Sequence, residues 1–562
     1  MEKFNYFKKR LNSMSSTRGT WEDHWQEILD YVMPRKADVT FTRTKGDQRT
    51  EILFDSTAMT STTLLAATMQ GTLTSPSLQW FHIKIRETEI NLDRDVQLWL
   101  EDSAKRMYNL FNQTNFNSEV HELYLDLVAM GTGCLFIEEG NKGFATDQIH
   151  FKAMHISEYY IQENISGYVD TLYRKYKLSA RQAVQEFGKD NLGEKVLQAA
   201  ADKPDKEFNF IHAVEPTEDY ERAMGKSNTK LPFHSCHVCE EDKMIVRVGG
   251  YNEFPYLVPR WSKATGEIYG RSPSYNALPD IKTLNKAVEI GLKAWAKSID
   301  PPLLVQDDGV IGKVRMTPGG ITVVRSDAAV RPLQIGANWQ ITDLKENQLR
   351  TAIRQAYYSD QLQLQEGPQM TATEVQVRYE LMQRLLGPTL GRFQSEFLNP
   401  LIERVFGIMN RAEAFLPTPD ILEGQLIDIE YVGPLARSQR MEEAVAVERL
   451  YQLAMQIGQL DPAIMDIVNH DEAIRARAQL LGVPKSILRG REEVDELREQ
   501  RAMQQQMQQE MMMQQQQAEI AAKQGSALKD MSGAETQDVL EQVGQAVEEE
   551  GAAIDSEVAN EG

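Results

Sequence analysis

The spacing of apolar positions changes several times along the chain, and each change marks an element. Trp21, Trp25, Ile28, Leu29 and Val32 recur at helical intervals and Pro34 follows, which predicts a helix over 21–33. The stretch 55–73 is also helical, with Gly71 and Pro76 as its stop signals. WFHIKI (80–85) alternates and predicts a strand. Helical spacing returns over 93–111 and 118–130, and Gly131 and Gly133 break it before the strand-like CLFIEE. From 149 to about 262 the pattern is short strands rich in Tyr, Val, Ile and Phe, around one helix near 179–200.

The middle of the chain reads differently. Residues 279–299 predict a helix whose only proline is at its first position, and Pro301-Pro302 stops it. Residues 303–340 predict short strands with Gly and Pro turns, and 342–358 return to helix. DQLQLQEGPQM (360–370) is a polar loop. Thr371 and Glu374 form a capping box at the start of a long helix, which Gly387-Pro388 and Asn399-Pro400 should kink or break. Residues 426–432 alternate briefly as a strand. From Pro434 onward the pattern is helical, with Asp461-Pro462 as a cap signal and Gly482 and Pro484 as punctuation. Ten Gln and five Met between 500 and 517 make a low-complexity helix or coil. The expected class is α+β, mainly α.

Composition narrows the function. A chain of 562 residues corresponds to about four domains and buries a large core without disulfide or metal staples. Three cysteines, an odd number, argue against a secreted disulfide scaffold. The segment MEKFNYFKKR lacks the apolar core of a signal peptide, and no apolar run approaches the ~20 residues of a membrane span. The formal net charge of −21 excludes a generally basic, DNA-coating protein, although it is compatible with a conduit whose walls do not grip. Residues 531–562 hold nine acidic and no basic groups and are expected to be a disordered tail.

Candidate chemistry is sparse. There is no G-x-x-x-x-G-K-[ST] phosphate loop, no G-x-S-x-G elbow, and no dinucleotide fingerprint; His121-Glu122 begins an H-E-x-x-H motif that Leu125 breaks. His234, Cys236, His237 and Cys239 place four potential zinc ligands within six residues, but no second ligand pair accompanies them. The alternative reading of that segment is a strand with alternate side chains buried. Asp307-Asp308 beside Gly309 reads as a solvated turn.

The helix over 279–299 is more informative. At ~100° per residue, Lys282, Lys286, Lys293 and Lys297 fall within an arc of about 60°, while Ile281, Leu284, Val288, Leu292, Trp295 and Ile299 fall within about 80° on the opposite side. Two readings stay open: a packed helix with solvated lysines, or a helix lining something anionic. The Gln-rich loop could touch phosphates by hydrogen bonding, without the pull of a cation.

Several stretches together resemble a known family. WQEILDYVMPR (25–35), FDSTA…QGTLTSPSLQWF (54–81), YGRSPSYNALPDIKTLN (269–285), the Pro301-Pro302 step, MTATEVQVR (370–378), LGPTLGRFQSEFLNPLIER (386–404) and YVGPLARSQR (431–440) follow the order seen in portal proteins, the head-to-tail connectors of short-tailed, podovirus-type bacteriophages. The resemblance spans about residues 20–440. It implies a ring, expected to be a dodecamer, with wing, stem, clip and crown around a DNA channel.

Carried over, residues 1–270 correspond to the wing, 271–299 to the first stem helix, 300–341 to the clip and 342–358 to the second stem helix. Residues 359–371 correspond to the tunnel loop, 372–433 to a long bent helix and a returning wing strand, 434–525 to a helical crown or barrel, and 526–562 to the acidic tail. Lys282, Lys286, Lys293 and Lys297 become candidates for the channel wall. Gln361, Gln363, Gln365, Gly367 and Pro368 become candidates for a constriction.

The resemblance implies no enzymatic activity, no cofactor and no membrane. Its implied partners are double-stranded DNA, the major capsid and scaffolding proteins, the terminase large subunit, and tail adaptor or nozzle proteins. Its implied location is the portal vertex of the virion, after assembly in the host cytoplasm. Two alternatives lie beside it: another structural virion protein, such as an internal core or tail-tube component, and a metal-dependent hydrolase centred on residues 234–239.

Overall fold

The structure is a computed structural model. It describes residues 2–530 except 45, 86–93, 141–148, 228, 307–309, 312, 315–320, 327–329, 333–338, 363–386, 388, 423–426, 432–433, 459–468 and 482–486. The chain divides into two units, Met1–Leu481 and Gly482–Gly562. The described part is mixed helix and strand and mostly helical, as the patterning predicts. No described helix is long and apolar enough to cross a membrane.

The larger unit is organised around helices α2 (Gly19–Val32), α3 (Thr57–Leu73), α4 (Arg94–Gln113) and α5 (Phe116–Met130). Their apolar stripes meet in one core through Trp25, Ile28, Leu65, Met69, Phe111, Leu123 and Leu127. The helix Asn399–Arg411 adds Leu401, Val405 and Ile408 to that core. A π-helical turn, Gln394–Leu398, precedes it. The irregularity at Asn399-Pro400 is therefore a widened turn, which accommodates a proline that cannot donate to the helical ladder.

Two predicted strands find each other across the chain. β1 (Phe81–Ile85) pairs antiparallel with β14 (Ile427–Tyr431), Ile83 opposite Ile429, and β2 (Leu135–Glu139) lies between β3 (Ile149–Ala153) and β9 (Tyr256–Leu257) in a three-stranded sheet.

A five-stranded antiparallel sheet runs in the order β4 (Tyr159–Glu163), β5 (Val169–Ser179), β6 (Glu207–Pro216), β7 (Phe233–Cys239), β8 (Met244–Tyr251). The period of two sends Phe208 and Phe210 to one face and Ile211 and Ala213 to the other. The first face is covered by α6 (Ala180–Phe187) and α7 (Glu194–Asp202). The sequence predicts one helix here. Gly188, at φ 78°, splits it, because its left-handed backbone cannot continue the helix.

The second face is covered by α8 (Thr217–Met224) and by α1 (Glu2–Ser16), neither of which the patterning singles out. α1 presents Phe4, Phe7, Leu11 and Met14 at helical spacing. It is anchored at a buried carboxylate: Glu215 accepts hydrogen bonds from Tyr173 at 3.0 Å and Tyr6 at 3.2 Å and an ion pair from Arg10 at 3.0 Å.

The helix expected from Pro279 instead begins at Pro273, as α9 (Pro273–Ile299), with Pro279 inside it. An internal proline forfeits one ladder hydrogen bond, and here burial outweighs that loss. Ser274, Ala277 and Leu278 are buried in the preceding turn, where Ser274 donates to the Val128 carbonyl. The approach to this turn is tight. Gly131 sits at φ 80°, and a Cβ on it would lie 2.6 Å from both the Arg271 carbonyl carbon and the Gly270 oxygen. Only glycine fits there, which explains why the 131–133 break and the YGRSPS segment share one crossing.

Candidate functional site

α9 has two halves. In the first, Ile281 and Leu284 are buried in the main core, and Asn285 serves as a polar tether. The Asn285 side-chain oxygen accepts from the Phe54 amide at 2.7 Å, and its nitrogen donates to the Ile52 carbonyl at 2.7 Å. α10 (Trp339–Ala356) packs alongside, and its Arg350 bridges Asp55 at 3.0 Å and Glu346 at 3.1 Å.

In the second half the apolar stripe continues without cover from the described residues. Leu292, Trp295 and Ile299 are 48%, 58% and 65% exposed. Beyond α9, β10 (Leu303–Val305) pairs with β13 (Val330–Pro332), and β11 (Val310–Ile311) with β12 (Val323–Val324). These are isolated two-stranded pairs with Leu304, Val305, Ile311, Val323 and Val324 exposed. Two-stranded sheets are marginal alone in water, and a run of exposed apolar side chains is the kind of surface that interaction sites use.

The four lysines all lie exposed on α9, yet they do not form a bare cationic line. Lys282 is paired with Glu27 of α2. Lys286 and Lys293 converge on a single carboxylate, Glu289, at 2.8 and 2.5 Å. Hydrogen bonds from Lys286 and then Lys293 draw the Glu289 pKa down to about 2, so it is ionised throughout the physiological range. Lys297 has no carboxylate partner among the described residues. Glu289 is the residue that the lysine spacing alone overlooks, although its position three after Lys286 and four before Lys293 signals the clamp.

Of the loop candidates, Gln361 falls in the short helix α11 (Ser359–Leu362). Gln363, Gln365, Gly367 and Pro368 lie outside the described residues, as does the Thr371–Glu374 capping box. The segment leading into α11 is firmly held. Tyr357 is fully buried and donates to Ser274 Oγ at 2.8 Å, and the Ser61 and Ser359 hydroxyls lie 3.2 Å apart. Between these contacts Tyr358 adopts φ 56°, a left-handed conformation that a tyrosine rarely takes and that its neighbours impose.

The His/Cys segment is strand β7, and alternation divides the four side chains between its faces. Cys236 belongs to the cluster under α1, and His234 stacks on Tyr220 with ring centroids 3.8 Å apart. Cys239 belongs to the cluster under α6 and α7, and His237 lies against Phe187 and accepts or donates at Tyr176, 3.1 Å away. Burial pushes the Cys236 and Cys239 thiols up to about 12 and about 11, away from the thiolate form that binds zinc. The four candidates do not converge on one point, and no metal-holding group of His, Cys, Asp and Glu occurs among the described residues. The observed arrangement is a strand packed on both faces, where the sequence reading expects only alternate side chains to be buried.

The described residues form a folded base from which one long helix and two small hairpins present exposed apolar and cationic side chains. The chain belongs to the bacteriophage head-to-tail connecting protein family, whose model it matches over residues 5–488. It is 30% identical over 529 residues to the probable portal protein of Bordetella phage BPP-1, covering 92% of this chain and 94% of that one. It is 29% identical over 511 residues to the portal protein of Salmonella phage epsilon15, covering 88% and 90% respectively. A chain from the virion of a native gene transfer agent particle aligns over 81% of this chain and 99% of its own at 12% identity and a TM-score of 0.33, too low a similarity to bear on the fold.

Proposed function

We propose that this head-to-tail connector acts as a portal: a ring, dodecameric by family expectation, at one capsid vertex, through which double-stranded DNA enters and leaves. In this reading residues 1–270 form the wing, 271–299 and 342–358 the stem, 300–341 the clip, 359–371 the tunnel loop, 372–433 the bent helix with its returning strand, and 434–525 the crown. The clip is the surface for the terminase large subunit during packaging and for the tail adaptor afterwards, and the wing meets capsid and scaffolding proteins.

The observation that carries this reading is the uncovered half of α9. A head-to-tail interface repeated by rotation closes into a ring, so each subunit must leave one face for its neighbour. The arc of Leu292, Trp295 and Ile299 is that face. With α10 and the core holding the adjoining sides, the lysine arc opposite is left to face the channel. Stem charges act on DNA only within about a Debye length, ~8 Å at physiological salt.

Native mass of the purified protein, read with negative-stain class averages, tests this. The expected result is a closed ring with a central hole, formed alone or on co-expressed scaffolding protein. A folded monomer that stays monomeric with scaffolding and capsid proteins present would refute it.

A further inference from the structure

We propose that Glu289 sets how firmly the lysine face of α9 holds the DNA backbone, by cancelling one of the two cations it clamps. The proposal rests on the channel-facing reading of that helix. Glu289 lies between Lys286 and Lys293 and bonds both, while both lysine side chains stay mostly exposed. At ~1.5 Å rise per residue, the carboxylate stands about 4.5 Å along the axis from one ammonium-bearing position and about 6 Å from the other. Both spacings are shorter than the Debye length of ~8 Å. A phosphate outside the wall therefore meets the three groups as one net positive charge, not as two separate cations.

The same accounting applies along the helix. Lys282 is offset by Glu27 at the end nearest the core, Lys286 and Lys293 share one carboxylate in the middle, and Lys297 makes no carboxylate contact among the described residues but has Asp300 three residues on, at the helix end. Repeated around a ring, this is a wall with far less net charge than four circles of lysine. Such a wall centres a polyanion and lets it slide, whereas a continuous stack of lysine circles would bind it. The ligand is the phosphate backbone itself, so the effect is independent of base sequence.

The test is the salt dependence of binding of a fluorescent linear duplex to full-length rings. Wild type is compared with E289Q, K293Q, K297Q and the double variant E289Q/K286Q. Glu and Gln have nearly equal helix propensity, and ring integrity is checked by negative stain. Each additional phosphate engaged steepens the slope of log K against log salt by about 0.9.

E289Q is expected to raise affinity at low salt severalfold and to steepen the slope, K293Q and K297Q to do the reverse, and the double variant to return to wild type. If K293Q and K297Q weaken binding while E289Q leaves the slope unchanged, the role of Glu289 is overturned and the channel-facing helix stands. If none of these variants moves the slope, the channel-facing reading falls and this proposal with it. A double variant that keeps the E289Q slope would also overturn the charge-cancelling role.

Discussion

Lowering the pH should loosen the five-stranded sheet at the stacked pair His212 and His237. The register of β5 to β8 lines up Arg174, His212, His237 and Arg247 directly across four strands. The two imidazoles stack with centroids 3.9 Å apart. His212 is enclosed by Tyr256 at 2.6 Å and Ser235 at 2.9 Å. Burial first, and then the flanking arginines, drive the His237 pKa down to about 3, and burial pushes His212 well below its ordinary value too. Glu158 neutralises Arg174 and Glu186 neutralises Arg247, and neither carboxylate makes an ion pair with the histidines.

The direction follows from which state takes up the proton. An unfolded histidine titrates near 6.5, so below that pH the open state binds protons that the folded sheet refuses, and stability falls until the folded pKa is reached. At pH 5 the open state is about 1.5 pH units past its own pKa, and at about 1.4 kcal/mol per pH unit His237 alone removes about 2 kcal/mol. His212 acts in the same direction. The assay is hydrogen exchange at the amides of Ile211, Ala213 and Val238, corrected for intrinsic rate, at pH 7.5 and 5.0. The wild type should lose about 2 kcal/mol or more of protection over that interval, and H237Q should lose less by a similar amount. Equal losses in the two proteins would refute the reasoning.

Three further outcomes follow from single contacts. Arg260 is 1% exposed and is held by Glu396 at 2.6 Å and by Glu163, so E396A should remove one of the two carboxylates on that buried charge and cost about 1.5–3 kcal/mol, read as a lowered Tm, with E396Q lowering it less than E396A. G131A places a Cβ against backbone at a positive φ and should destabilise by more than about 1 kcal/mol; chemical denaturation of soluble protein checks it. N285A removes three hydrogen bonds to residues 52–55, so limited proteolysis should cut there in the variant at concentrations that spare the wild type.

Local patterning carried much of the element structure. Trp21 to Val32, the 55–73 stretch and the alternation of 80–85 all appear as helix, helix and strand, because spacing records which side chains share a face. The lysine and apolar arcs of α9 are visible in the same way, and so is Glu289 from its intervals to Lys286 and Lys293. The helix start at Pro273 was not, because a local rule about proline was overridden by burial of Ala277 and Leu278.

The sequence by itself determined the class of the chain, the faces of its helices, the absence of familiar catalytic motifs, and the family order of its segments. Only the tertiary structure decided who meets whom. β1 pairs with β14 from the far side of the chain, and a period of two says that a strand exists but not where its partner lies. The His/Cys segment became two buried pairs on opposite faces once β6 and β8 were laid beside it. Half of α9 lost its apolar stripe to the core and half kept it. Burial is a property of what packs against a residue, and no interval along one chain encodes the neighbour that arrives from two hundred residues away.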